Sequence, residues 1–242
     1  MQHSFSPEHN EASAFEQLYI GVREKEQRIC ADEELLQLPL VEKEHPHYKE
    51  WMLRKKSTER LMQYLKDKEC KLNILEVGCG NGWLAAKLAD IESAHVTGLD
   101  INTTELNQAE RVFKKSNLRF LPIELAALKE HDFDIIVFAA SIQYFPSLKD
   151  ILEIALERVV KGGEIHVLDT HFYKLSEVND ARQRSKQYYA GMGFEKMDAY
   201  YFHHAIDELK AFDYRLLFNP HSLVNKLRRS KERFYWICVK NK

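Results

Sequence analysis

The residues with the clearest chemical potential are Glu76 and the alternating glycines Gly78, Gly80 and Gly82. They close the stretch Leu72-Asn73-Ile74-Leu75-Glu76-Val77-Gly78-Cys79-Gly80-Asn81-Gly82, a short apolar run that ends in a glycine turn. Glycine lets a backbone turn sharply and lie close to a bound molecule, since no Cβ intervenes. Trp83 to Ala89 reads as the first turns of a helix, whose free N–H groups attract a carboxylate or phosphate. Asp100 follows at the end of His95-Val96-Thr97-Gly98-Leu99. Its carboxylate can accept two hydrogen bonds side by side, which suits a vicinal diol. Ser141, Gln143 and Tyr144 follow the apolar run 133–138, and His171 follows 164–168. Histidine is the side chain most easily poised to take a proton near neutral pH.

Strand, glycine turn and helix form the entrance to a Rossmann-type unit. The dinucleotide fingerprint wants a small sixth residue for close helix–strand packing. Counting from Gly78, that place holds Trp83, and the pattern present is E-x-G-x-G-x-G. In this the chain resembles the class I, Rossmann-like S-adenosylmethionine-dependent methyltransferases, in the branch of the ubiquinone and menaquinone methyltransferases. The resemblance spans about residues 72–170. It implies S-adenosylmethionine as cofactor, with Gly78, Cys79, Gly80 and Gly82 holding its methionine part. Glu76 would lie near the amino group and sulfonium, Asp100 and Ile101 at the ribose, and Ala140 near the transferring methyl. Glu124 would accept from the adenine amino group, although relatives usually carry Asp-Ala where this chain has Glu124-Leu125. The residue-level alternative for Asp100 is a plain helix cap. Asn102 fills that role better, with Glu105 as its capping-box partner.

The elements that must position these groups alternate between α and β. Phe15, Leu18, Tyr19 and Val22 recur with helical spacing and predict a helix over 11–28. Residues 1–10 read as disordered, 31–47 as a connection, and 50–66 as a second helix. Arg54 or Ser57 of that helix either caps the cofactor's carboxylate or belongs to a solvated face. His45 and His47 read as a surface pair, since no third ligand is apparent. Strands are expected at 118–121, 133–138, 164–168, 214–218 and 234–239, with a helix opened by Ser147 and stopped at Lys161-Gly162-Gly163. A further helix is expected at 205–212, and Lys226, Arg228, Arg229, Lys231 and Arg233 read as a solvated basic turn. With the resemblance, this gives an α/β fold: a doubly wound, seven-stranded, mostly parallel sheet with its last strand antiparallel. N-terminal helices (1–68) precede the cofactor-binding domain (69–242), and an aromatic-rich insertion follows the fifth strand. That insertion, 173–203, with bends at Gly191 and Gly193, is expected to be a substrate lid.

The chain has 242 residues and a net charge of −2, which gives no general reason to expect nucleic acid or membrane as a partner. Cys30, Cys70, Cys79 and Cys238 show no C-x-x-C spacing, which fits a cytoplasmic setting and neither a disulfide frame nor a zinc site. No apolar run approaches the roughly 18 residues of a membrane span, and the N-terminus lacks a signal-peptide core.

Among relatives, base-amino methyltransferases carry [DN]-P-P-[YF] after the fourth strand, where this chain has Ala139-Ala140-Ser141-Ile142. Metal-dependent catechol-type enzymes and cysteine-dependent base methylation lack their acids and their cysteine here. A small molecule is therefore the expected substrate, with protein methylation open, no metal, and His171 and Tyr144 as the catalytic candidates. An inactive or regulatory cofactor-binding protein and a Rossmann oxidoreductase are the alternatives. Oligomeric state has no sequence signature here.

Overall fold

The computed structural model describes residues 7–223, 225 and 232–242, with side chains from residue 14 onward. Its strands are β1 (Leu72–Val77), β2 (Ala94–Leu99), β3 (Leu118–Leu121), β4 (Phe133–Ala139), β5 (Val159–Leu168), β6 (Tyr214–Phe218) and β7 (Trp236–Lys240). They form one sheet in the order β3-β2-β1-β4-β5-β7-β6. The first five are parallel, and β7 runs antiparallel between β5 and β6. Chain order reverses between β1 and β4, so a crevice opens at their carboxyl ends, where ligands bind in open α/β sheets.

The helices are α1 (Pro7–Lys25), α2 (Asp32–Gln37), α3 (Tyr48–Lys66), α4 (Trp83–Leu88), α5 (Thr103–Val112), α6 (Leu148–Arg158) and α7 (Val178–Met192). β1 is buried almost throughout, which is why it reads as a near-continuous apolar run. One core joins α3 and α4 to the sheet through Leu61, Leu65, Leu84 and Leu88. The other joins α6 to the opposite face through Leu148, Leu152 and Ala155. A third, aromatic cluster packs α1 on α7 and the 3-10 turn 195–200, through Val22, Tyr189 and Met197.

Several local expectations are corrected. α1 begins at Pro7, inside the stretch read as disordered, and α2 lies inside the expected connection. α6 ends at Arg158, where Val159 turns extended, so Gly162 and Gly163 lie within β5. A Cβ on Gly163 would stand 2.7 Å from the Asp134 carbonyl oxygen, which explains that glycine. Gly191 is helical within α7, and only Gly193, at φ 82°, ends that helix left-handed. Residues 206–211 form a 3-10 helix, and β7 starts two residues later than expected. Of the basic run, Arg233 is described and exposed; its other four members lie outside the described residues.

Asn102 does cap α5, accepting from the Glu105 N–H at 3.1 Å. The capping box does not form. The Asn102 N–H donates to Asp100 at 2.8 Å, and Glu105 turns its carboxyl toward the site.

Glu164, His166 and Cys238 bring ligand atoms within 4.8 Å of one another, a cluster that the spacing of the sequence conceals. Cations already surround its carboxylate: Lys68 at 2.9 Å, Arg215 at 3.3 Å and Lys240 at 3.5 Å. Burial pushes the Glu164 carboxyl up, yet the adjacent His166, Lys68 and Tyr64 outweigh it and hold the group well below the usual range. The cluster thus ties α3 to β5 and β7 as an ion-pair hub.

Candidate active site

A cavity of about 550 Å³ opens at the carboxyl ends of β1, β4 and β5. Its floor is the glycine turn, including Gly78, Cys79 and Gly80. Tyr19 and Arg23 of α1, Arg54 of α3, and Ser185 and Tyr189 of α7 close its sides. Of the residues singled out from sequence, Gly78, Cys79, Gly80, Ala140, Gln143, Tyr144 and His171 reach its wall. Glu76, Gly82, Asp100, Ile101, Glu124 and Ser141 are not on that wall.

The residues behind the wall hold it in shape. Gly78, at φ +72°, has Ser141 so close that an added Cβ would meet the serine Cβ at 2.5 Å. The Ser141 hydroxyl donates to the Val77 carbonyl at 2.6 Å. Gly82, at φ +74°, is crowded by Phe120 and Ala109. Asp100 accepts from the Gly80 N–H at 2.7 Å, so the acid at the end of β2 pins the turn after β1. Burial raises its pKa, and three backbone N–H groups oppose that rise.

Glu76 is buried, and burial raises its carboxyl well above the usual range, opposed by the Ala85 N–H and by Arg54. Its Oε2 has no hydrogen-bond partner among the described residues. Glu124 is exposed and precedes the 3-10 turn 125–127.

Two non-glycine residues adopt left-handed backbone at neighbouring strand ends: Ala140 after β4, at φ 54°, and Asp169 after β5, at φ 55°. Such residues cost free energy and cluster at functional sites. The Ala140 N–H donates to the Leu168 carbonyl at 3.0 Å, which locks the two ends together. Tyr144 packs its ring edge-on against Tyr19 and Tyr201, and burial raises its hydroxyl pKa. His171 packs on Phe234, with ring centroids 4.6 Å apart. Partial burial, with Arg233 and Arg184 nearby, lowers its pKa, so the imidazole is neutral at pH 7.

Arg54 donates to Glu50 at 3.1 Å, and Ser57 donates to Asp169 at 2.9 Å. Arg54 reaches the cavity wall and Ser57 does not. His45 and His47 are also on the wall, where His45 meets Glu34 at 2.9 Å and His47 meets the Glu26 carbonyl at 2.7 Å. The sequence reading missed Arg23, Glu105, Asp169 and Ser185. Arg23 had one legible signal: it follows Tyr19 by a helical turn, on the same face.

The chain shares its seven-stranded α/β fold with solved methyltransferase structures. Residues 74–163 match the family Methyltransf_25, described as a methyltransferase domain, so the resemblance carried by Glu76 to Gly82 is borne out over that segment. The chain is similar to malonyl-[acyl-carrier protein] O-methyltransferase of Acetivibrio thermocellus, 35% identical over 40% of this chain and 35% of the relative. It is similar also to ubiquinone biosynthesis O-methyltransferase of Psychrobacter cryohalolentis, 32% identical over 40% of each chain. The matches thus span well under half of these relatives' length. Among solved structures, the plantazolicin methyltransferase BpumL in complex with SAH superposes with a TM-score of 0.57 at 15% identity, covering 97% of this chain and 99% of that one. Magnesium protoporphyrin IX methyltransferase from Synechocystis PCC 6803, with bound SAH, gives 0.57 at 13%, covering 87% and 93%.

Asp169 yields a pH test. Burial raises its pKa from 3.8 to about 6, so the folded chain binds this proton more tightly than the unfolded chain does. Its contribution to stability is therefore full below about pH 4 and is lost as pH rises to about 6. Asp169→Asn should stabilise the protein at pH 8 relative to its effect at pH 4, by up to about 3 kcal/mol. Urea unfolding of both proteins at the two pH values measures this; an equal effect at both would exclude the raised pKa.

Proposed function

We propose that this chain is an S-adenosylmethionine-dependent methyltransferase that acts on a small molecule. The observation that carries the reading is Glu76, a buried carboxylate behind the glycine turn with one oxygen unpartnered among the described residues. A nearby positive charge favours the ionised form of such an acid, and this cofactor is cationic. Trp83 opposes a dinucleotide: it is buried edge-on against Trp51, where close helix–strand packing would want a small residue.

The cofactor would supply a methyl group on a sulfonium for in-line displacement. The chain's part is to hold, align and exclude water. We assign the methionine part to Gly78, Cys79, Gly80 and Gly82, with Glu76 near the cationic end. Asp100 and Ile101 take the ribose, Glu124 the adenine edge, and Ala140 the floor beneath the methyl. Tyr144 orients the acceptor, and His171, neutral at pH 7, takes its proton. The 1–68 segment is an accessory helical unit, and 173–203 is a lid over the domain 69–242. Val22, Tyr189 and Met197 pack together and all line the cavity, which supports a lid.

No helix among the described residues is long and apolar enough to cross a membrane. Four free cysteines support a cytoplasmic setting. Near-neutral charge supports a small-molecule partner over nucleic acid.

Calorimetry should show binding of S-adenosylmethionine and S-adenosylhomocysteine and none of NAD. Asp100→Ala should weaken that binding by roughly tenfold or more. Binding of NAD alone would sink the assignment, and an unchanged affinity would reduce Asp100 to a brace of the turn. Turnover to S-adenosylhomocysteine with a substrate library separates an enzyme from a cofactor-binding regulator.

Hydrogen exchange across 188–203 should slow when S-adenosylhomocysteine and an acceptor bind. Equal protection with and without them would make the segment a fixed part of the fold.

His171→Gln should bind S-adenosylhomocysteine normally and lose roughly 10²–10⁴ in turnover. A wild-type rate with an unchanged pH profile would remove His171 from the mechanism.

A further inference from the structure

Four arginines reach the cavity wall: Arg23, Arg28, Arg54 and Arg184. Two of them are taken up by Glu50. Arg28 grips it with two hydrogen bonds, at 3.0 and 2.7 Å, and Arg54 donates to it at 3.1 Å. Arg184 is exposed, so water can serve its donors. Arg23 differs from all three. It makes no hydrogen bond to any described residue, and its Nε is buried without a partner. Its one ion pair among the described residues is with Glu105, at 4.0 Å, beyond hydrogen-bond reach.

A guanidinium has five N–H donors and does not lose its charge. Buried without hydrogen bonds, it costs free energy that a paired arginine does not. Glu105 offsets little of this, because burial raises its carboxyl to about 7 and leaves it only partly charged at neutral pH. The Arg23 guanidinium lies instead over the ring of Tyr19, 5.6 Å from its centroid. Tyr19 in turn meets Tyr144 edge-on, with centroids 5.6 Å apart. Arg23 thus stands one ring away from Tyr144, the residue assigned to orient the acceptor. The cofactor's cationic end is assigned to Glu76, and the arginine that faces Glu76 is Arg54.

We propose that Arg23 anchors the methyl acceptor by a carboxylate, so that the acceptor is a small organic acid. This rests on the methyl-transfer reading and narrows its substrate class. The planar fork of a guanidinium matches the two oxygens of a carboxylate in two parallel hydrogen bonds. The unpartnered Nε, together with one terminal nitrogen, makes such a fork. A phosphate fits less well: Glu26 and Glu105 also face Arg23, and they would repel a second negative charge. Tyr19 and Tyr144 line the cavity beside the fork and offer ring surface that suits an aromatic acid. Binding of the acid would satisfy the donors that the fold leaves over.

The test uses the full chain loaded with S-adenosylhomocysteine, with benzoate and its neutral isostere benzamide as probes. Calorimetry should show benzoate bound at one site and benzamide at least about tenfold weaker. Arg23→Gln should erase that preference and leave S-adenosylhomocysteine affinity unchanged. Arg23→Lys, which keeps the charge without the fork, should retain part of it. Benzoate that fails to bind, or that keeps its advantage in Arg23→Gln, would overturn the proposal. So would a loss of S-adenosylhomocysteine affinity in Arg23→Gln, which would give the arginine to the cofactor's own carboxylate. A lower Tm with an unchanged preference would make Arg23 a structural partner of Glu105. Should Arg23→Gln fail to fold, NMR of the wild-type chain decides, with the Arg23 Nε–H resonance assigned through Arg23→Lys. Benzoate should shift that resonance and benzamide should not; equal responses overturn the proposal. A chain that binds no S-adenosylhomocysteine would count against the methyl-transfer reading, and the same two probes on the free chain would still decide the role of Arg23.

Discussion

The site depends on one hydrogen bond more than on any other: the 2.7 Å contact from the Gly80 N–H to Asp100. It links the turn after β1 to the end of β2, two parallel strands that are already in register from Leu72 and Ala94 to Val77 and Leu99. The second oxygen of Asp100 accepts from Asn102, whose own side chain starts α5. A single carboxylate thus fixes the glycine turn and the start of the next helix. The turn must be fixed, because glycine has the most conformational freedom to lose. On the other side, Ser141 packs against Gly78 and ties the same turn to the end of β4.

Around this rigid floor the walls are made by segments outside the sheet. α1 crosses from the start of α5, where Glu16 accepts from Thr103 and Thr104, to α7, where Tyr188 donates to Glu26. Between those polar ends, Phe15 and Tyr19 pack against Tyr144. The insertion is held below by Phe202, whose N–H donates to the Gln143 carbonyl at 2.7 Å. Tyr144 therefore touches α1 and the insertion at once, so their packing fixes where its hydroxyl can point.

The sheet was legible because burial on both faces demands apolar strands, and the switch point was legible because its glycines are spaced as one turn. Asn102 could be read as a cap because capping is local. The walls were not legible. α2 is six residues long, too short for periodicity to distinguish it from a connection. Gly162 looked like a helix stop, yet α6 ends earlier because Val159 pairs with Phe133, a long-range contact. Glu105 looked like a capping partner, and only the approach of Arg23 from α1, at 4.0 Å, reveals it as part of the wall. Ser185 and His203 are 18 residues apart and meet only because the insertion folds back on itself.

The charges around the cavity share one direction. Glu76, Asp100, Glu105 and Asp169 are acids at or behind its wall, and burial raises the pKa of each. Arg54 faces Glu76, Glu105 and Asp169 and opposes the rise in all three, while it is itself bonded to Glu50. Arg23 adds to this opposition at Glu105 and Arg60 at Asp169, yet burial still outweighs these cations and the pKa of each acid stays raised. Strain of this kind is tolerated where a ligand relieves it. A cation bound in the cavity would favour the ionised acids and stabilise the folded chain in proportion to its occupancy. A neutral ligand of the same shape would leave the acids uncompensated and would be held less tightly.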